Sequence, residues 1–161
     1  PMSTIQTAIE LRSAGKSEEA KQILLGLLEQ SPEDPDILYQ LAWVHDLMGL
    51  EGEAVPYYEK AISSGLKDPE RRGALLGLGS TYRTLGLYNK SKEIFERGRQ
   101  DYPQAREFNV FYAMTLHNLG QYDKAMEFLL KELGETSSDE GIHRYQRAIV
   151  FYSDKLNQVW E

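Results

Sequence analysis

Residues 75–103, LLGLGSTYRTLGLYNKSKEIFERGRQDYP, decide the fold. Leu75, Leu78, Gly79 and Tyr82 recur at i, i+3, i+4 and i+7, which puts four side chains on one face of a helix. Gly86 follows and supplies the left-handed backbone that other residues adopt only at an energetic cost. A second helix is predicted from Tyr88 to about Gln100, with Leu87, Ile94 and Phe95 as its apolar face. Ser91 is small enough to let the two helices approach closely.

The same pattern recurs along the chain. Gly15, Gly49, Gly86 and Gly120 stand 34, 37 and 34 residues apart. Five residues after each comes a small side chain (Ala20, Ala54, Ser91, Ala125), and nine after comes a large apolar one (Leu24, Tyr58, Phe95, Leu129). Seven residues before each stands another small residue: Ala8, Ala42, Gly79 and Ala113. A period of this length marks one supersecondary unit copied and stacked. Stacked helix pairs create extended concave surfaces, so the pattern points to binding.

Composition bounds the rest. With 161 residues, 41% hydrophobic and 27% charged, the chain can bury a globular core. It has no cysteine, which excludes disulfides, thiolate metal sites and cysteine nucleophiles and leans towards a reducing, cytoplasmic compartment. The longest apolar run, Ile23 to Leu28, is too short to insert across a membrane, and the first residues lack a signal-peptide pattern. A net charge of −7 argues against a nucleic-acid partner. Residues 72–105 are a basic island, with Arg72, Arg83, Lys90, Lys92, Arg97 and Arg99 against three acids; a solvated helix face is the simplest reading of it.

Local signals set the helix boundaries. Ser3 with Gln6 forms a capping-box pattern. Asp34-Pro35 and Asp68-Pro69 each place an N-cap before a proline at the first helical position. The extra residues of the second unit predict a longer loop around Ser63-Ser64-Gly65. Pro56 predicts a kink or a delayed start in the helix that contains it, because it lacks an N–H and crowds the preceding turn.

These residues resemble the tetratricopeptide repeat family. The third unit carries the motif most fully, in Leu75, Leu78, Gly79, Tyr82, Gly86, Tyr88, Ser91, Phe95, Gly98 and Pro103. The second has Leu38, Leu41, Ala42, Gly49, Ala54, Tyr58 and Ala61. The first keeps Ala8, Leu11, Gly15, Ala20, Leu24, Leu27 and Pro32. The fourth has Tyr112, Ala113, Leu116, Gly120, Tyr122, Ala125 and Leu129, then departs, with Glu132 where a small residue is usual and no proline near Ser137. The resemblance implies an all-α fold, a right-handed α-α superhelix of four helix hairpins over about 1–34, 35–71, 72–105 and 106–139. A C-terminal capping helix over 140–160 is expected through Ile142, Tyr145, Ile149, Tyr152, Leu156 and Val159, the whole forming one domain over 1–161.

In the family, positions turned about 140° from the core side of each first helix line a concave groove. Here they are Met2, Ile5, Ile9 and Arg12; Tyr39, Gln40, Trp43, Asp46 and Leu47; Leu76, Ser80, Arg83 and Thr84; and Val110, Phe111, Met114, His117 and Asn118. This is more apolar than packing within one hairpin requires. It predicts a groove for a peptide or helical segment of a partner, anchored by Tyr39 and Trp43, with Asp46, Arg83 and His117 fixing orientation. The competing reading is that these residues pack between adjacent first helices. Family members that hold the carboxylate tail of heat-shock chaperones use basic and Asn residues where this chain has Ile5, Ile9, Gln40, Gly73 and Gly77, so that clamp is not expected.

Nothing in the sequence favours catalysis, a cofactor or a metal. His45, His117 and His143 have no metal-ligand spacing, Gly77-Leu78-Gly79 follows no predicted strand, and Glu18-Glu19 sits at a helix start where it favours the dipole. The resulting expectation is a non-enzymatic adaptor or scaffold. Two alternatives are a small-peptide sensor and a homodimer formed through the aromatic C-terminal helix, with Tyr152 and Trp160.

Overall fold

The computed structural model describes residues 4–161 and is all helical, with no strand among the described residues. In chain order the helices are α1 (Ile5–Ser13), α2 (Ser17–Gln30), α3 (Pro35–Leu47), α4 (Glu51–Ser63), α5 (Glu70–Thr84), α6 (Tyr88–Asp101), α7 (Arg106–Asn118), α8 (Tyr122–Thr136), α9 (Glu140–Arg144) and α10 (Gln146–Tyr152). This is the helical-hairpin repeat that the glycine spacing predicts. Gly15, Gly49, Gly86 and Gly120 all have positive φ, between 73° and 80°, and close the turn within each pair. Two compact units emerge, one ending at Leu87 and one beginning at Tyr88.

The first unit holds α1 to α5. Its core forms where α2 meets α3: Ala8, Ala20, Leu24, Ile37, Leu41 and Val44 are buried, with Ile23, Leu27 and Tyr57 packed around them. Ala42 and Ala54 are fully buried, so α3 and α4 approach without an intervening side chain. Tyr58 lies across from Gly77, where even a Cβ would meet its hydroxyl at 2.6 Å and its ring at 2.8–2.9 Å. The loop between α4 and α5 runs over 64–69, longer than 31–34 between α2 and α3, and Gly65 turns it at φ +89°.

Several boundary expectations need correction. Ser3 and Met2 lie outside the described residues; Thr4 is the N-cap of α1 and accepts from the Thr7 N–H. Asp34 caps α3 as expected, with Pro35 at its start. Asp68 does not cap α5: the helix begins one residue later, with Pro69 itself at the N-cap and no side-chain cap bond. Pro56 does not delay α4, which already runs from Glu51. The missing N–H falls on the second turn, where it deprives only the Gly52 carbonyl of a ladder donor.

The second unit holds α6 to α10. Ser91 and Thr115, both fully buried, join α6 to α7 by a 2.9 Å hydroxyl contact. Gly98 makes room for the buried Phe108 ring, which stacks on Tyr102 at 6.0 Å. Glu132, the departure from the repeat pattern, is almost fully buried and fully occupied. Asn109 Nδ2 donates to its Oε1 and Arg106 to its Oε2, both at 2.9 Å, and Arg106 also reaches Glu135. Arg99 Nε donates to Asn109 at 2.7 Å, and its guanidinium lies over the Tyr112 and Phe128 rings. A charged side chain replaces the small one because a set of donors meets it.

The single helix expected over 140–160 is instead two short ones, α9 and α10, which part at Tyr145; α10 packs on α8 and no helix continues past Tyr152. The side chains of Ser153 and Lys155 compete for the last backbone carbonyls. Ser153 Oγ takes the Val150 carbonyl at 2.7 Å, and Lys155 takes that of Phe151 at 3.0 Å. Those carbonyls are therefore closed off by side chains.

Gly98→Ala should destabilise the chain by about 1–3 kcal/mol, because its Cβ overlaps a buried ring that cannot move aside. Gly26→Ala, inside α2 and facing open space, should stabilise by about 0.5–1 kcal/mol. Urea unfolding of both variants checks the pair.

Candidate functional site

The predicted groove residues of the first unit sit on α1, α3 and α5, and α3 packs against both other helices. Ile5 and Ile9 are half-buried on α1. Tyr39 is buried: its ring lies 5.7 Å from Trp43 and 6.4 Å from Tyr58, and its hydroxyl fills the space left by Gly73. Gln40 is buried too, accepting from the Arg12 guanidinium. Trp43 is different. It is 36% exposed, and one turn on, Leu47 is 57% exposed. Arg12 lies flat above the indole, 3.5 Å from its centroid.

Asp46 faces inward from the last turn of α3. Its Oδ2 accepts from the Tyr58 hydroxyl at 2.7 Å, and Thr81 Oγ1 lies 2.7 Å from the same oxygen. Thr81 is also 2.7 Å from the Gly77 carbonyl, so its one proton is shared between two acceptors. Oδ1 is buried with no hydrogen-bond partner. Burial therefore raises the Asp46 carboxyl above the usual carboxylate range, against the opposing pull of its Tyr58 and Thr81 bonds. Burial likewise pushes the Tyr58 and Tyr39 phenols up, and Asp46 adds to the effect on Tyr58. The Arg12 guanidinium is drawn down by burial but stays charged at any working pH. Leu76, Ser80 and Arg83 are half-buried on α5, and Thr84 is exposed at its end.

In the second unit the predicted residues lie on α7. Val110, Phe111 and Met114 are half-buried, with the Phe111 ring 6.3 Å from the buried Phe95. His117 and Asn118 are exposed, and His117 sits beside the Tyr122 ring at 5.2 Å. His45 is a packing residue: its Nδ1–H donates to the Leu41 carbonyl at 2.7 Å, and its ring stacks on Tyr57. His143 is exposed on α9.

Of the expected lining, the structure brings Arg12, Gln40, Tyr39, Trp43 and Asp46 into one connected cluster, and Tyr39 and Gln40 are its floor. Sequence reasoning missed Tyr58 and Thr81. Tyr58 was legible only as a motif residue, and no sequence signal ties Thr81 to an aspartate 35 positions earlier.

Helix pairs of fixed period with small residues at each crossing and left-handed glycines at each turn define a class of helical-repeat interaction proteins. A family profile described as "Tetratrico peptide repeat" matches residues 35–156, so the chain belongs to the tetratricopeptide repeat family, whose members are protein–protein interaction modules. Solved structures agree in fold. A tetratricopeptide repeat protein from Parabacteroides merdae superposes with TM-score 0.74 at 19% identity, over 91% of this chain and 56% of that one. YrrB, described as a TPR protein with an unusual peptide-binding site, gives 0.72 at 21% identity, over 96% and 77%. A MamA segment from Desulfovibrio magneticus RS-1 gives 0.69 at 16% identity, over 99% and 100%. Among curated proteins, a probable coatomer subunit gamma of Schizosaccharomyces pombe is 24% identical over 137 residues; the match takes in 84% of this chain and 14% of the length of that relative. No helix among the described residues is long and apolar enough to cross a membrane.

The raised carboxyl of Asp46 sets a sign. Where the folded state raises a pKa, the group's stabilising contribution is present at low pH and lost as pH rises through the folded value. Asp46→Asn, which keeps an acceptor for Tyr58 without the buried charge, should be more stable than wild type at pH 7. That advantage should shrink on acidification towards pH 4; paired urea titrations at the two pH values measure it.

Proposed function

We propose that the chain is an adaptor or scaffold that binds an extended or helical segment of a partner protein, with the exposed side of α1 and α3 as the principal contact. The observation that carries this reading is the Arg12–Trp43 pair. Trp43 and Leu47 are large apolar side chains left open on consecutive turns of α3, beside a cation that has no carboxylate within ion-pair distance among the described residues. Gln40 occupies one donor of the guanidinium and the indole covers one of its faces, so other N–H groups remain to be met.

A matching segment offers an aliphatic or aromatic side chain to cover Trp43 and Leu47, and a carboxylate to meet Arg12. The buried floor supports such a surface: Tyr39 packs against Trp43, and Gln40 holds Arg12 in place, so little ordering remains to be done on binding. The kinship with YrrB, itself described by its peptide-binding site, is compatible with this use of the fold. Val110, Phe111, Met114, His117 and Asn118 of α7 are the residues of the second unit that this reading assigns to partner contact. No catalytic step is assigned to any residue.

Selection from a random peptide library tests the proposal. Enriched peptides should pair a large apolar residue with an acidic one. Trp43→Ala should weaken them by about 2 kcal/mol or more, roughly 30-fold, at a temperature where circular dichroism shows the variant as helical as wild type. Arg12→Gln should remove the preference for the acidic residue while leaving the apolar one. Equal enrichment by wild type and Trp43→Ala would show that partner binding uses another surface.

A further inference from the structure

We infer that Arg99, on α6, is a second carboxylate-reading point, built to take one acidic side chain of a partner protein. The kind of occupant rests on the reading of the chain as a binding module; the site itself lies on other helices. The observation is that two arginines, one in each unit, are held in the same way. Arg12 lies on the Trp43 ring and is fixed by the amide oxygen of Gln40. Arg99 lies 4.9 Å from the centroid of Tyr112 and 4.5 Å from that of Phe128, and its Nε donates to the amide oxygen of Asn109 at 2.7 Å. Neither has a carboxylate within ion-pair distance among the described residues, whereas Arg106 and Arg144 are each met by glutamate.

An amide oxygen fixes a guanidinium without neutralising it. The fixing is secure here because Asn109 is itself held: its Nδ2 donates to the nearly buried Glu132 at 2.9 Å, which turns the amide oxygen towards Arg99. Glu132 is met in turn by Arg106, so its charge is spent there. Glu96, one turn before Arg99 on α6, is exposed and forms no ion pair with it. With Nε taken and two rings against the guanidinium, what remains is the edge that carries the two η nitrogens. They donate to no described side chain and are not buried. Two parallel N–H groups on one edge are the geometry that a single carboxylate accepts.

Charge selects the occupant. The site carries one uncompensated positive charge, which matches a carboxylate rather than a dianionic phosphate. Lys124, the other cation near the Phe128 ring, is already paired with Glu127. Phe128 is half-buried beside the guanidinium and offers apolar surface to the methylenes of a glutamate side chain. Because Asn109 and the rings hold Arg99 in place, binding has little side-chain freedom left to remove. Arg99 sits on the second helix of its pair, whereas every expected groove position is on a first helix. The groove pattern therefore does not reach it.

NMR titration of the full chain with the capped tripeptide acetyl-Ala-Glu-Ala-amide tests this. The Arg99 Nε–H and the Asn109 side-chain amide should shift together and saturate, and the same peptide with Gln for Glu should move neither. Arg12→Gln should leave the titration unchanged, which separates a failure here from a failure of the Trp43 reading. Arg99→Lys keeps the charge but loses the two-bond edge, and should weaken binding about tenfold as read from the Asn109 amide. Arg99→Gln should abolish it. Both variants are compared where circular dichroism shows them as helical as wild type. No saturable shift in wild type, loss of the shift on Arg12→Gln, undiminished binding by either Arg99 variant, or equal shifts from acetate or inorganic phosphate at the same concentration would each overturn the inference.

Discussion

A hairpin of two short helices has one apolar face too many, and covering that face with the next helix is the constraint on which this structure depends. Leu24, Tyr58 and Phe95 reach zero or near-zero exposure only because α3, α5 and α7 lie against them. Ala20, Ala54 and Ser91, four residues earlier on the same helices, are fully buried because the crossing is too tight for anything larger. The left-handed glycines make this possible by reversing the chain without a side-chain penalty. Where the covering helix is reduced to α10, the same position is left open.

Polar groups enter this packing only where they are met. Glu132 stands where the other repeats have Leu27, Ala61 and Gly98, and it is held by Asn109 and Arg106 from α7. Asp46 is the less complete case, with one oxygen engaged by Tyr58 and Thr81 and the other buried without a partner. The first arrangement tolerates a charge because every acceptor has a donor. The second makes the end of α3 sensitive to protonation, on a helix that also presents Trp43.

The period, the turn glycines and the helix pairs were all legible, because each depends on local backbone conformation and on spacing along one helix. The longer loop at Gly65 and the cap at Asp34 were legible for the same reason. The C-terminal helix was misjudged. Its apolar spacing runs on to Val159, but Ser153 and Lys155 side chains take the last helical carbonyls, a competition that spacing does not register. The Asp68-Pro69 start was misjudged similarly: the dipeptide favours a cap, yet α5 begins beyond it. In the candidate site, the surface positions were legible by angle around the helix. Tyr39 and Gln40 nevertheless turn out to be floor, because neighbouring helices cover them.

The sequence by itself determines the repeat, its family and the faces that each helix turns inward, since these follow from periodicities of 3.6 and about 34 residues. Only the tertiary structure decides which of two equally apolar positions remains in contact with solvent. Trp43 and Leu129 stay open while Tyr39 and Phe95 are sealed. The difference lies in the presence or absence of a helix from elsewhere in the chain, and no local pattern carries that information.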